Sequence, residues 1–400
     1  MRQVLVLSPH YPPIAGAQST RVAKLVKYLP GRGWRPTVVS ATEDPSFGTD
    51  YSLMKDVPIE ATVERAGVGR AGLGAVLSGI RVPDHIGAWI QPATKIAMRL
   101  IRSGGFDAIA SFSFPPSAHL AALGICIGTG LPWFADFSDP WMNNPYSGKT
   151  RRWRRWLGAR MESAVFQRAS RVGFTNAEFR DYVSRFHPKV LKKAILIPNS
   201  AECAEFDSAE FKKREGAAFV VAHIGSLYGL REPGQLFHAL SQFSQSHPNI
   251  VVKLQLIGTW KRTGLDDKCD LDAGGVEIEE VGRVPRVQAL QYMCTADVLV
   301  LIDPSPFEPG IFLPTKLIEY IMSGRPILAL SVPGPVKDLI TQRLAGIVVH
   351  SDDVKGMVSA LESLYADGTW IRGRHSQVLP EFESAAVSQK LADALTAISK

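Results

Sequence analysis

The sequence predicts an α/β protein of two tandem Rossmann-like domains with an interdomain cleft. Three observations carry this reading. The chain has 400 residues, too long for one ordinary core. Short apolar runs alternate with longer amphipathic stretches, the pattern of βα units and parallel sheets. The alternation breaks once, at the charged stretch CAEFDSAEFKKREGAA over 203–218, and then resumes.

In the first half, strands read over 3–8 (QVLVLS), 36–41 (PTVVSA), 106–112 (FDAIASF), 132–138 (PWFADFS), 171–175 (RVGFT) and 194–198 (AILIP). Helices read near 17–30, 87–103 and 151–169, while the Gly-rich segment 43–86 reads as a long loop or lid with a short helix. In the second half the strands are FVVAHIG, VVKLQLIG, VEIEEVG, DVLVLID, RPILALS and GIVVH, with helices near 233–246, 286–295 and 314–323. Sheets of this kind bind ligands beyond the carboxyl ends of their strands, so the loops after strands are where function is expected.

Composition narrows the function classes. With 46% hydrophobic and 21% charged residues the chain can fill two large cores, which argues against disorder. Cys126, Cys203, Cys269 and Cys294 show neither disulfide nor zinc spacing, and no His/Asp cluster stands at metal-ligand spacing in the sequence. A net charge of +7 favours an anionic partner. The N-terminal apolar run is too short for a signal peptide, so a cytoplasmic location is the expectation. Residues 108–135 carry no Asp, Glu, Lys or Arg, but Pro115, Pro116, Gly124, Gly128, Gly130 and Pro132 interrupt them. They read as strand, helix and strand of a buried sheet rather than a membrane span.

The stretch PTKLIEYIMSGRPIL, 314–328, is the most informative. Pro314 suits a helix start and Gly324 a helix end. Leu317, Ile318 and Ile321 make an apolar face, which leaves Thr315, Lys316 and Glu319 adjacent at the open end. A cation in a first turn opposes the helix dipole, and Lys before Glu is the weaker order for a helical ion pair. The placement makes sense if an anion sits there; the plainer alternative is a surface Lys–Glu pair. Asp139, after the apolar strand FADF, reads as an ordered acid or as an Asx turn before Pro140. Gly16 lies in the loop after the first strand, where a ligand can approach the backbone.

A separate feature is KTRRWRRWLGARM, 149–161, with Arg151, Arg152, Trp153, Arg154, Arg155 and Trp156 in succession. On a helix the tryptophans join Leu157, Met161, Ala164 and Val165 in one stripe flanked by arginines, the pattern of a helix resting on anionic lipid. The alternative is an ordinary inward-packed amphipathic helix. No recognised nucleic-acid module accompanies it, so nucleic acid is not an expected partner.

These motifs together resemble glycosyltransferase family 4, retaining nucleotide-sugar enzymes of the GT-B fold. LSPHYPPIAGAQSTR (7–21) is similar to the family's first strand and glycine loop, with Ala15-Gly16 for Gly-Gly. ILIPNSAECAEF (195–206) is similar to its Pro-Asn-Gly-Val-Asp turn. AHIGSLYGLREP (222–233) looks like its phosphate-binding loop, with Ser226 at the Arg position and Arg231 at the Lys position. LPTKLIEYIMSGRPILAL (313–330) resembles the variant in enzymes that build bacterial surface polysaccharides. Of the family's paired glutamates Glu319 matches the second, Ile311 occupies the first, and Glu308 is the nearest acid. The family's His-Asp pair is replaced by Ser138 and Asp139.

The resemblance implies an N-terminal acceptor-binding domain over 1–202 joined by a returning helix near 382–400, and a C-terminal donor-binding domain over 203–381. It implies a UDP- or GDP-sugar donor, a glycan or lipid-linked acceptor, an anionic membrane surface as docking partner, and no cofactor or metal. Ser226, Arg231, Thr315, Lys316 and Gly16 would hold the donor diphosphate and Glu319 the ribose, with Asp139 and Glu308 in catalysis. A non-catalytic nucleotide-sugar-binding protein of a polysaccharide assembly complex, and a nucleotide-sugar epimerase, remain alternatives.

Overall fold

The computed structural model describes residues 1–44, 46–68, 83–145, 151–207, 218–229, 231–260, 275–303, 309–366 and 378–399. The chain divides into two compact units, 1–200 with 381–400, and 201–380. In each, the described strands form a parallel sheet with helices in the crossovers.

The first unit holds β1 (Arg2–Leu7), β2 (Trp34–Ala41), β3 (Thr62–Ala66), β4 (Ala108–Ser113), β5 (Trp133–Phe137), β6 (Arg171–Phe174) and β7 (Ala194–Leu196), in the order β3-β2-β1-β4-β5-β6-β7. Strand side chains alternate between two buried faces. Leu5, Leu7, Val39 and Ile109 enter one core, while Val4, Val6, Val38 and Ala108 enter the other. The uncharged run 108–135 therefore resolves into β4, the Ser117–Thr129 helix and β5. Among the described residues no helix is long and apolar enough to cross a membrane.

The Ser384–Ile398 helix lies against the Ala17–Lys27 helix within this unit. Ser388 Oγ donates to Leu25 O at 2.7 Å, and Val387, Leu391 and Leu395 join the core of Val22 and Leu25.

The second unit holds β8 (Phe219–Ile224), β9 (Val252–Ile257), β10 (Val276–Gly282), β11 (Val298–Asp303), β12 (Ile327–Ser331) and β13 (Gly346–Val349), in the order β10-β9-β8-β11-β12-β13. Its core gathers Val221, Leu254, Val300 and Leu328 from the sheet, with Leu236, Leu240, Met357 and Leu361 from two covering helices.

Several elements escape the sequence pattern. β3 lies in the segment read as a loop; it is an edge strand, TVERA, in which only Ala66 is buried, so it has no apolar run to reveal it. The helices Ala177–Ser184, Pro335–Gln342 and Val354–Ala366 also appear. The Arg152–Arg168 helix leaves the tryptophans of the predicted stripe exposed and packs inward through Val165, the one fully buried member of that stripe, and its neighbours. It buries Gly158, Glu162, Val165 and Phe166 and leaves Trp153 and Trp156 44% and 61% exposed. The cause is local packing: a Cβ at Gly158 would collide with Met142 Sδ, and Glu162 accepts hydrogen bonds from Met142 N and His187 Nε2 at 3.0 and 3.1 Å.

One buried ion pair joins the strand ends of the first unit. Arg21 meets Asp136 through Nη2 at 3.0 and 3.1 Å and Nε at 3.2 Å. Its remaining donors reach the carbonyls of Ile197 and Pro198, both at 2.8 Å, and Asn199 Oδ1 at 3.0 Å. Removing one partner of such a pair strands the other charge. Arg21→Met is therefore expected to destabilise the chain by about 3–5 kcal/mol in urea unfolding. Arg21→Met with Asp136→Leu should cost less than the single change.

Candidate functional site

The predicted helix forms as Thr315–Met322, with Pro314 immediately before it and Gly324 left-handed at φ 72° after it. Leu317, Ile318, Tyr320 and Ile321 are fully buried, and this fixes which side Lys316 and Glu319 present. Tyr320 fastens the helix to the end of β8: its hydroxyl accepts from Ile224 N at 2.9 Å and donates to Ile224 O at 3.2 Å.

Immediately after β8 comes Gly225, at φ 145°. A Cβ here would collide with Lys316 Nζ and come within 3.7 Å of His223 Nε2. Only glycine both adopts this backbone and leaves the ammonium its space. The next strand end closes in as well, since a Cβ at Gly258 would lie 2.5 Å from Gly225 O. Ser226 is joined to this strand end by Thr259 Oγ1, which donates to its hydroxyl at 2.9 Å.

Lys316 is half-buried, and among the described residues its ammonium makes no hydrogen bond. Burial, with Arg231 beside it, pushes its pKa down to about 7, against the opposing pull of Asp303 and Glu319. Arg231 stacks over Tyr228 at 5.0 Å and donates to its hydroxyl at 2.9 Å. His223 lies fully buried beneath; its Nδ1 faces Val300 O at 3.0 Å, and Nε2 has no hydrogen-bond partner among the described residues. Burial first, then Lys316, holds its pKa well below the usual value, so the ring is neutral. Two cations and a neutral imidazole thus surround a glycine at a strand end, an arrangement suited to a polyanion.

Glu319 is 6% exposed and is held by a residue that sequence reasoning did not single out. Arg286, the first residue of the Arg286–Thr295 helix, donates Nη1 to Glu319 Oε1 at 2.6 Å and Nη2 to Glu205 Oε2 at 2.8 Å. Burial opposes its charge, but Glu319 and then Glu205 outweigh burial and hold the guanidinium firmly protonated. Among the described residues Glu319 Oε2 takes no hydrogen bond. A signal for Arg286 was present: like Lys316, it is a cation in a first helical turn, against the dipole. His223, Asp303 and Glu205 carried no local signal, because their role comes from which strand and helix ends meet.

The remaining predicted residues fare unevenly. Thr315 is half-buried at the helix start. Ile311, at the family's first glutamate position, is 7% exposed and packs inward, and its loop is tied by Gly310 N to Pro333 O at 2.8 Å. Glu308 lies outside the described residues. In the first unit, Asp139 is half-buried just beyond β5, beside Ser138, whose hydroxyl donates to Ser113 O at 2.6 Å. Gly16, at φ 120°, is covered by Phe47, whose ring would lie 2.8 Å from a Cβ, so its conformation has a packing cause. His119 is a core histidine, paired through Nδ1 with Ser111 Oγ at 2.8 Å. Against the expected absence of metal ligands, the fold brings His10, Asp44 and His85 within ligand reach of one another.

Comparison with known proteins gives this geometry its context. The glycosyl transferase 4-like domain family matches residues 16–199, and the glycosyl transferases group 1 family matches 218–367. The chain is a glycosyltransferase that carries both of these family domains. By sequence, no curated protein matches the glycosyltransferase. In structure it is similar to sucrose-phosphate synthase of Thermosynechococcus elongatus, with TM-score 0.66 and 17% identity, covering 100% of this chain and 95% of that one. Anabaena HepE, solved in complex with UDP and glucose, gives 0.66 and 15% over 99% and 100% of the two chains. WaaG, a glycosyltransferase involved in lipopolysaccharide biosynthesis, gives 0.62 and 13% over 98% and 95%. At such identities the shared feature is the two-domain GT-B fold.

The depressed lysine has a consequence for stability. Its pKa is about 7 folded and the ordinary value, 10.5, unfolded, so between these the unfolded chain binds more protons. Its contribution therefore increases stability as pH rises from about 7 towards 10.5 and is lost as pH falls through 7. Lys316→Met should flatten that part of the pH–stability curve, measured by denaturant unfolding across the range.

Proposed function

We propose that the glycosyltransferase moves a sugar, hexosyl or N-acetylhexosaminyl, from a UDP- or GDP-sugar held by the second unit to an acceptor held by the first. The acceptor is a glycan, lipid-linked, in bacterial surface-polysaccharide synthesis, and the anomeric configuration is retained. The observation that carries this reading is the Lys316 ammonium poised over Gly225 on the same helix as a carboxylate oriented by Arg286. The family resemblance supports retention, and Anabaena HepE, whose complexes contain UDP and UDP-glucose, supports the class of donor.

In this reading the departing diphosphate meets Lys316, Arg231, Ser226 and Thr315 together with free N–H groups at the helix start, which offset the charge that develops as the glycosidic bond breaks. Binding draws a proton onto Lys316, so the cation is completed when the ligand arrives. Glu319 accepts hydrogen bonds from the ribose hydroxyls through Oε2, while Arg286 keeps Oε1 and the rotamer fixed. Glu308 contacts the donor sugar and Asp139 orients the acceptor. These positive groups meet the phosphate charge without a metal in the donor cradle.

The enzyme works at the cytoplasmic face of the membrane, docked on anionic lipid through the Arg152–Arg168 helix. In support, Trp153 and Trp156 are exposed; Arg154 lies over the Trp153 ring at 5.4 Å and Arg160 over Trp156 at 5.0 Å. Arg151, Arg152 and Arg155 are exposed beside them. A large aromatic next to arginine in water fits an interfacial role better than a core one.

Two experiments test these assignments. UDP or GDP should raise the thermal midpoint of the chain, and Lys316→Ala and Glu319→Ala should each weaken that nucleotide by roughly ten- to a hundredfold, the worth of a charge-assisted hydrogen bond. Affinity should also fall as pH rises above about 7, because the free lysine loses its proton there. Nucleotide binding without any sugar transfer to a membrane extract would favour the non-catalytic alternative. Separately, Trp153→Ser with Trp156→Ser should abolish binding to anionic vesicles while leaving nucleotide binding intact; unchanged vesicle binding would refute the docking role.

A further inference from the structure

Away from the donor cradle, three ligating side chains converge at strand ends of the first unit. His10 follows β1, Asp44 follows β2, and His85 precedes the Gly87–Trp89 turn, so each comes from a separate segment. His10 Nε2 lies 2.8 Å from Asp44 Oδ2, and His85 Nε2 lies 2.9 Å from the same oxygen. All three ligating atoms fall within 4.8 Å of one another.

The surroundings hold this group in place. Asp44 Oδ1 accepts the Ser46 N–H at 2.9 Å, which leaves Oδ2 turned toward the two rings. The His10 ring packs against Phe47 with centroids 4.5 Å apart, and its backbone carbonyl accepts from Ser8 Oγ at 2.7 Å. The Asp44 and His10 side chains are 1% and 4% exposed, whereas His85 is 38% exposed. The cluster is thus closed on the side of β1 and β2 and open to solvent at His85.

We propose that His10, Asp44 and His85 form a binding site for Zn²⁺, with a fourth position open to water on the His85 side. Two imidazoles and one carboxylate with an open position are the donor set of a three-ligand zinc site. Mg²⁺ and Ca²⁺ prefer all-oxygen shells, so a site supplying two nitrogens selects a borderline transition cation. On entry of the metal each ring presents its Nε2 lone pair, and the proton that Nε2 shares with Asp44 moves to Nδ1 or leaves to solvent. The metal joins the segments after β1 and β2 to the segment before residue 87. Phe47 packs against His10 and lies over Gly16, just before the Ala17–Lys27 helix.

The test uses the full chain, stripped of metal with a chelator and titrated with ZnCl₂ by calorimetry. One equivalent should bind, and Asp44→Asn and His85→Ala should each weaken it at least about tenfold. His85 is partly exposed, so its variant keeps the fold. As a readout on the unaltered chain, Co²⁺ should give the intense visible absorption of a low-coordinate nitrogen–oxygen site, displaced by Zn²⁺. Equal zinc affinity in wild type and His85→Ala, a Co²⁺ spectrum no stronger than that of the aqueous ion, or saturation by Mg²⁺ as readily as by Zn²⁺ would each overturn the proposal.

Discussion

The candidate site of the second unit depends on the absence of a side chain at Gly225. Its backbone turns at φ 145° at the end of β8, and the volume that a Cβ would fill is taken by the Lys316 ammonium. Tyr320, one turn further along the same helix, ties that helix to Ile224, the residue before Gly225. The strand end, the helix start and the cation are therefore one mechanical unit. A larger residue at 225 would displace the lysine and separate the helix from the strand together.

Burial then sets the chemistry. Among apolar strand ends, a lysine next to an arginine loses part of its charge, and its pKa falls to about 7. Glu319 is held by geometry instead: Arg286 donates to it at 2.6 Å and to Glu205 at 2.8 Å. The two charged side chains of one helix are thus held differently: burial weakens the hold of the lysine on its proton, and a guanidinium fixes the carboxylate in place. Arg21 in the first unit instead grips the single carboxylate of Asp136 through Nε and Nη2, and each of its guanidinium nitrogens is occupied by a carboxylate, a carbonyl or an amide oxygen. That pair joins strand ends, whereas Arg286 bridges Glu319 and Glu205 between two helices.

Much of this is legible in the sequence alone. The βα alternation gave the fold class because buried parallel strands must be apolar on both faces, and that requirement shows in any window of the sequence. The helix over 315–322 was legible from Pro314 and Gly324, and its charges stood out because they oppose the helix dipole. β3 was not legible, since an edge strand with one buried residue leaves no apolar run. For the Arg152–Arg168 helix, periodicity identifies a stripe but leaves open whether it faces lipid or the core; Gly158 and Glu162, which pack against Met142 and His187, decide which side turns inward.

By itself, then, the sequence determined what depends on neighbours along the chain: two α/β units, the helix over 315–322 and its ends, and the basic aromatic segment. Only the tertiary structure decided which distant charges meet. Arg286 reaches Glu319 and Glu205, and His10 and His85 share one oxygen of Asp44, through contacts between segments that have no common period or spacing. The physical reason is that electrostatic pairing acts through space over a few ångströms, whereas hydrophobic patterning repeats along the chain. A site assembled from several strand ends exists only once the sheet has ordered them.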